Sequence, residues 1–236
     1  MRSRTSSLAV LATALTLPAP AFAAVGLAVG TDITRTALTL ALLALVPAVV
    51  VSMTSFIRIA IVLAMVRHAF GMPETPPNAV LVSLALFLTA FTMGPTLTEL
   101  NTRAVQPLLA GAVDAPTALE RGAEPLRQFM LSQTRDTDIG VIYAISGTPM
   151  PDRPEDVEIL KLAPAFIMNE LRVSFTIGFV ILLPFLLIDL VVSAILLSLG
   201  MMMVPPATIS LPIKLLMFVL IDGWRLVLEG LLGSFQ

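Results

Sequence analysis

Uncharged apolar stretches alternate with short polar ones along this chain. Residues 36–57 carry no charge over 22 positions. As a helix that run is about 33 Å long, enough to cross the hydrocarbon core of a bilayer. Arg58 follows, and the apolar pattern resumes as far as Val66. Pro47 lies inside the run and predicts a kink. Residues 67–78 are dense in Pro and polar groups and read as a turn, with His68 a solvated loop residue. Residues 80–97 form a second uncharged run of 18 positions. The two runs and their link predict an αα-hairpin.

A third uncharged run, 173–188, is interrupted by Asp189 and resumes over 190–213. Lys214 follows, then residues 215–221 and the group Asp222-Gly223-Trp224-Arg225. Trp224 beside charges fits an interfacial anchor. Inside the resumed run lies Gly200-Met201-Met202-Met203-Val204-Pro205-Pro206. Pro205 and Pro206 stop a helix, and Gly200 lets the chain turn. A turn in water normally carries Asn, Asp, Ser or Lys; this one has three unbranched, deformable Met instead. Two readings stand: a loop that faces something other than bulk water, or the frayed apolar end of a helix.

Residues 99–161 differ in kind. They hold six basic and ten acidic residues, a balance of −4, and read as a water-facing insert. Asp114-Ala115-Pro116 ahead of Leu119, Leu126, Phe129 and Met130 predicts a capped amphipathic helix. Residues 147–154, with three Pro, read as a loop. At the other end, Arg2 and Arg4, an apolar core over 8–17 and Ala21-Phe22-Ala23 have the form of a secretory signal peptide cleaved after Ala23.

The chain is therefore read as all-α. Residues 1–23 are a cleavable signal peptide, 24–98 a first helical hairpin, 99–163 a polar extracytoplasmic insert, and 164–236 a second hairpin with the Met-rich loop. The four long apolar segments put both turns toward the cytoplasm and the insert outside. Composition agrees: 57% of residues are apolar and 13% charged, with a mean hydropathy of +0.94, against about 45–50% and about 25% in soluble domains. A net charge of −2 without a basic face argues against nucleic acid. With no Cys and a single His, thiol chemistry, His-based metal sites and a Ser–His–Asp triad are not expected. No cofactor and no enzymatic activity are expected.

Charges inside apolar runs are candidate functional groups. Here they are Arg58, Asp189 and Lys214. If both turns lie at one level, Arg58 is 14 residues from Met72 and Asp189 is 15 from Val204, so their depths agree within roughly 2 Å. Asp189 is therefore expected to pair with Arg58, within one subunit or across a subunit contact, since Arg's planar fork suits a carboxylate. Lys214 is expected as the weaker partner, about 7–8 Å nearer the Met loop. An ion-coupled transporter using these three charges, or a passive structural subunit, fits the same residues. The two hairpins show no convincing trace of the inverted repeats a transporter would carry.

Several ordered motifs resemble one family. They are Thr54-Ser55-Phe56-Ile57-Arg58-Ile59; Pro76-Pro77-Asn78-Ala79-Val80-Leu81 through Leu84-Ala85-Leu86-Phe87-Leu88-Thr89; and Pro164-Ala165-Phe166-Ile167 with Glu170-Leu171 and Phe175-Thr176-Ile177-Gly178-Phe179. Pro184-Phe185-Leu186-Leu187-Ile188-Asp189-Leu190-Val191, the Gly200–Pro206 turn, Leu211-Pro212-Ile213-Lys214 and Asp222-Gly223-Trp224 complete the set. From about residue 50 onward this is similar to the FliP/SctR family of type III secretion export gates. His68 and Asn169 depart from the residues commoner there. The Pro pair and the signal peptide lean to the flagellar branch; the alternative is the export apparatus of a virulence secretion system. The resemblance implies a ring of five copies with FliQ and FliR subunits and a FliO-type assembly factor. It places that ring in the bacterial inner membrane, at the flagellar basal body. It also implies that exported flagellar proteins pass through the pore, with Met201, Met202 and Met203 as a deformable gasket hinged at Gly200, Pro205 and Pro206. The resemblance also implies that much of the ring sits above the plane of the bilayer, with the apolar runs buried against sister subunits rather than lipid; either burial removes backbone groups from water.

Overall fold

The computed structural model describes residues 40, 44, 47–72 and 74–235, which fall into two units, Met1–Pro47 and Ala48–Gln236. Of the first unit Leu40, Ala44 and Pro47 are described, all helical. The expected signal peptide and most of the first apolar run lie outside the described residues. In the second unit the helices are α1 (Phe56–Ala69), α2 (Asn78–Thr92), α3 (Gly94–Leu100), α4 (Gln106–Leu109), α5 (Ala115–Gln133), α6 (Asp136–Ser146), α7 (Ile159–Ser198), α8 (Pro206–Leu220) and α9 (Gly223–Gly233). No strand occurs among the described residues, so the all-α class holds.

The first long run is not one continuous helix. Residues 48–52 are helical, the helix is interrupted at 53–55, and α1 starts at Phe56. Hydroxyls cause the break by competing for backbone groups. Ser52 donates to the Ala48 carbonyl at 2.6 Å and Thr54 to that of Val50, while the Phe56 N–H turns to the Thr54 hydroxyl at 3.3 Å. Ser55 and Thr92 share a 2.6 Å hydrogen bond that pins the start of α1 to the end of α2. At the far end α1 continues through His68, which is exposed on its last turn rather than in a loop. Arg67 closes the turn by donating to Asn78 at 2.5 Å.

The second run also breaks. Met93 ends α2, Gly94-Pro95 opens α3, and the axis bends by 69°. Pro95 has no N–H to continue the ladder, and Gly94 offers no side chain to hold the helix straight. α5 starts as the sequence predicts: the Asp114 carboxylate accepts from the Thr117 N–H at 3.3 Å. Hydrogen bonds from the Thr117 side chain and backbone hold that carboxyl below its usual range. Leu126 and Met130 point into the core and Leu119 is exposed.

Two apolar clusters form. One gathers Ile59, Val62, Leu63 and Val66 of α1 with Leu81 and Ala85 of α2, Phe185 of α7, Phe218 of α8, and Val227 and Leu231 of α9. The other joins Met130, Ile139 and Tyr143 of the insert to Leu162, Ala165 and Phe166 of α7. α7 is the common element. It runs 40 residues, about 60 Å, and carries both the end of the insert and the start of the second hairpin. Among the described residues it alone is long and apolar enough to cross a membrane unaided; the bent α2–α4 segment adds a second span if it counts as one. α8 is about 22 Å long, short of a bilayer core.

Contacts between α1 and α7 set the register. Arg58 meets Glu170, the Met65 side chain lies over Gly178, and Phe70 packs edge-on to Phe185 at 5.4 Å. Each pair keeps nearly the same sequence offset, so the two helices run parallel. Phe70 closes the end of α1, whereas α7 goes on for thirteen residues past Phe185. The second turn therefore lies about 22 Å beyond the first, and the expectation that both turns share one level fails. Phe70 and Trp224 pack edge-on to Phe218 at 4.8 and 5.5 Å, which fixes α8 and α9 at that level.

Two glycines allow close approach. A Cβ on Gly223 would lie 2.1 Å from the Phe218 ring, and one on Gly178 2.2 Å from the Met65 sulfur. The ring is wedged among Phe70, Phe185 and Trp224, but the thioether can rotate away. Gly223→Ala should therefore lower stability by about 1–3 kcal/mol, the usual overpacking range, and Gly178→Ala by less. Denaturant midpoints of the detergent-solubilised protein check the order.

Candidate functional site

The apolar turn is held by backbone bonds alone. Gly200 adopts φ +72°, a conformation that favours glycine. Its N–H bonds the Leu197 carbonyl at 3.1 Å, and the Met201 N–H bonds the Leu196 carbonyl at 2.9 Å. These crossed bonds are a Schellman cap. Pro205 is extended (φ −63°, ψ 122°) and Pro206 is the first residue of α8, where its missing N–H forfeits no bond. No polar side chain is needed to end one helix and start the next. Met201, Met202 and Met203 are consequently left pointing outward, 43, 81 and 97% exposed.

Below the turn, α7 and α8 pair along a seam of Phe185, Val192 and Leu196 against Ser210, Lys214 and Phe218, all buried. The remaining faces are apolar and open, including Leu187, Leu190, Ile195 and Leu197 on α7 and Leu216, Val219 and Leu220 on α8. Asp189 sits in the seam and accepts from Lys214 at 2.6 Å. Lys214 is 7% exposed and Asp189 40%, so the carboxylate keeps one side open on an otherwise apolar helix face.

Arg58 is not the partner of Asp189. It is 2% exposed and pairs with Glu170, which is fully buried. Nε donates to Glu170 Oε2 at 2.8 Å and Nη2 donates to Oε1, the bidentate fork expected of arginine with a carboxylate. Nη2 also donates to Gln133 Oε1 at 3.2 Å, and Nη1 to the carbonyl and hydroxyl of Ser234 at 2.8 and 3.0 Å. Asp189 lies nineteen residues past Glu170, about 28 Å further along the same helix. The expected Arg58–Asp189 pair fails because the unequal turns displace the two levels. Lys214, expected as the weaker partner, is the one that forms.

A third pair joins the insert to α7. Arg172 grips the buried Asp138 with two bonds of 2.9 and 2.7 Å. At the far end Arg225 closes on Glu229 at 2.7 Å on the exposed face of α9, where an ion pair contributes little. Sequence reasoning quotes Glu170 only within a family motif and gives no role to Glu170, Asp138 or Gln133. Glu170 stands three residues before the third uncharged run, just outside a search confined to charges within such runs. An acid facing a lone buried Arg from the edge of a run is the signal that finds it.

The FliP family profile matches residues 39–231. The chain belongs to the FliP family. It is 50% identical over 201 residues to the flagellar biosynthetic protein FliP of Pectobacterium carotovorum subsp. carotovorum, covering 85% of this chain and 78% of that one. The protein of the same name from Caulobacter vibrioides is 47% identical over 194 residues, 82% and 73% of the two chains. That of Bacillus subtilis is 43% identical over 198 residues, 84% and 90%. The region matched by the family profile includes these ion pairs and the Met turn.

Removing one partner of a buried pair leaves an uncompensated charge, typically about 3–5 kcal/mol, while removing both restores much of the loss. Arg58→Met and Glu170→Met should each destabilise strongly, and the double variant by much less than their sum. Arg58→Met and Asp189→Asn, at distant sites, should add. Denaturant titrations of the single and double variants read both cycles.

Proposed function

We propose that this chain is a core subunit of the flagellar type III export gate, and that its Met turn lines the protein-conducting pore. The observation that carries the reading is the exposed Met201-Met202-Met203 triplet at the tip of a hairpin projecting well past the end of α1. A tip so apolar, capped without one polar side chain, is poorly suited to bulk water. The open apolar faces of α7 and α8 below it supply surface for sister subunits. In this reading five copies form a ring with FliQ and FliR, helped by a FliO-type factor, in the inner membrane at the flagellar basal body. The signal peptide and the remaining apolar runs set the insert outside the cytoplasm. The chain acts as a conduit, without catalysis.

Gating is physical. Apolar side chains around a narrow opening resist wetting and hold back ions. Met side chains change rotamer to admit a polypeptide and close behind it. The names of the relatives favour a flagellar system over a virulence one, since each is a flagellar biosynthetic protein.

Replacing Met201, Met202 and Met203 together by Ala should raise resting ion leak through the assembled complex, measured as conductance in planar bilayers. A stalled export substrate should cross-link to a photoreactive group at position 202. Wild-type leak in the triple variant, with no cross-link at 202, overturns the gasket.

A further inference from the structure

The guanidinium of Arg58 has five N–H donors, and five hydrogen bonds meet them. Two go to Glu170 of α7, one to Gln133 at the end of α5, and two to Ser234. The ring of Phe235 lies against the guanidinium carbon, 4.0 Å from its centroid, within range of a cation–π contact. Residues 234 and 235 follow directly on α9. Without them both Nη1 donors of a buried cation would face nothing, and one face of the guanidinium would lose its cover. Glu170 alone neutralises the charge but leaves the fork incomplete.

Gln133 is held from its other side as well. Its carbonyl accepts from Asn169 Nδ2 at 2.5 Å, so the end of the insert helix is tied to α7 beside the same node. One side chain thus touches the insert, the first hairpin, the long helix and the segment after α9.

We infer that Ser234 and Phe235 form a latch that closes over Arg58, and that the insert, through Gln133, governs how tightly it closes. Closure fastens α9 to the start of α1, and α9 follows α8, whose other end carries the Met turn. The latch is a positioning device: it holds the far end of the second hairpin to the insert side of the molecule. This inference stands independently of the pore reading, because latch closure is measured on the chain itself, whatever the Met turn does.

The chain has no cysteine, so one introduced thiol reports alone. Ser234→Cys keeps the backbone carbonyl that accepts from Nη1. Its reaction with N-ethylmaleimide, in the full chain within its membrane complex, measures latch opening. Arg58→Lys keeps the charge opposite Glu170 but loses the fork; Phe235→Leu keeps apolar bulk but loses the ring. Each should speed labelling about tenfold by raising the open population. Gln133→Leu, on the insert, should speed it severalfold. A second thiol background, Ala85→Cys in the fully buried core, should stay unreactive in all three. Unchanged labelling at 234 in Arg58→Lys and Phe235→Leu overturns the latch. A parallel rise at position 85 overturns it too, since those residues would then hold the whole fold. Unchanged labelling in Gln133→Leu overturns the coupling to the insert.

Discussion

A buried guanidinium must find a partner for each of its donors, and Arg58 does so by drawing four parts of the chain together. Glu170 supplies the countercharge, Gln133 and Ser234 the remaining acceptors, and Phe235 a face. The hydrogen bonds among them reach up to 176 residues along the sequence. Such a group is strongly destabilising when half satisfied. Its demand fixes which residue of α7 stands beside the start of α1.

That register has a long reach. With Arg58 beside Glu170 and Phe70 beside Phe185, α1 is spent while α7 still has about four turns to run. The surplus length becomes the projecting α7–α8 hairpin, held internally by the Asp189–Lys214 pair and by Phe185 against Phe218. At its tip a Schellman cap and a proline start let the chain reverse with no polar side chain. Placement of the Met triplet therefore depends on an ion pair at the opposite end of the helix. The apolar faces along this hairpin stay open within the chain.

Much of this is legible in the residues. The helical class, the capped start of α5, the turn at Gly200 to Pro206 and the exceptional nature of three charges in apolar runs all follow from local chemistry. The break at 53–55 is harder to foresee. Serine and threonine hydroxyls occur in many unbroken helices, and here the bond between Ser55 and Thr92 needs a second helix to be in place. The partner of Arg58 is beyond a count of depth from two turns, because that count takes the turns to be level. Hydropathy gives the length of an apolar run but not where one run stands against another.

The sequence alone determined what depends on neighbours within a few positions: the capped start of α5, the stop at Gly200 to Pro206, the absence of polar groups at the Met turn, and membership of the family through ordered motifs. Tertiary structure alone decided which acid answers Arg58, how far the second hairpin extends, and that residues 234 and 235 complete a site begun at residue 58. The physical reason is that local rules act through backbone geometry over one or two turns. The partner of a buried charge is chosen by packing between helices far apart in sequence, and no periodicity along the chain records that choice.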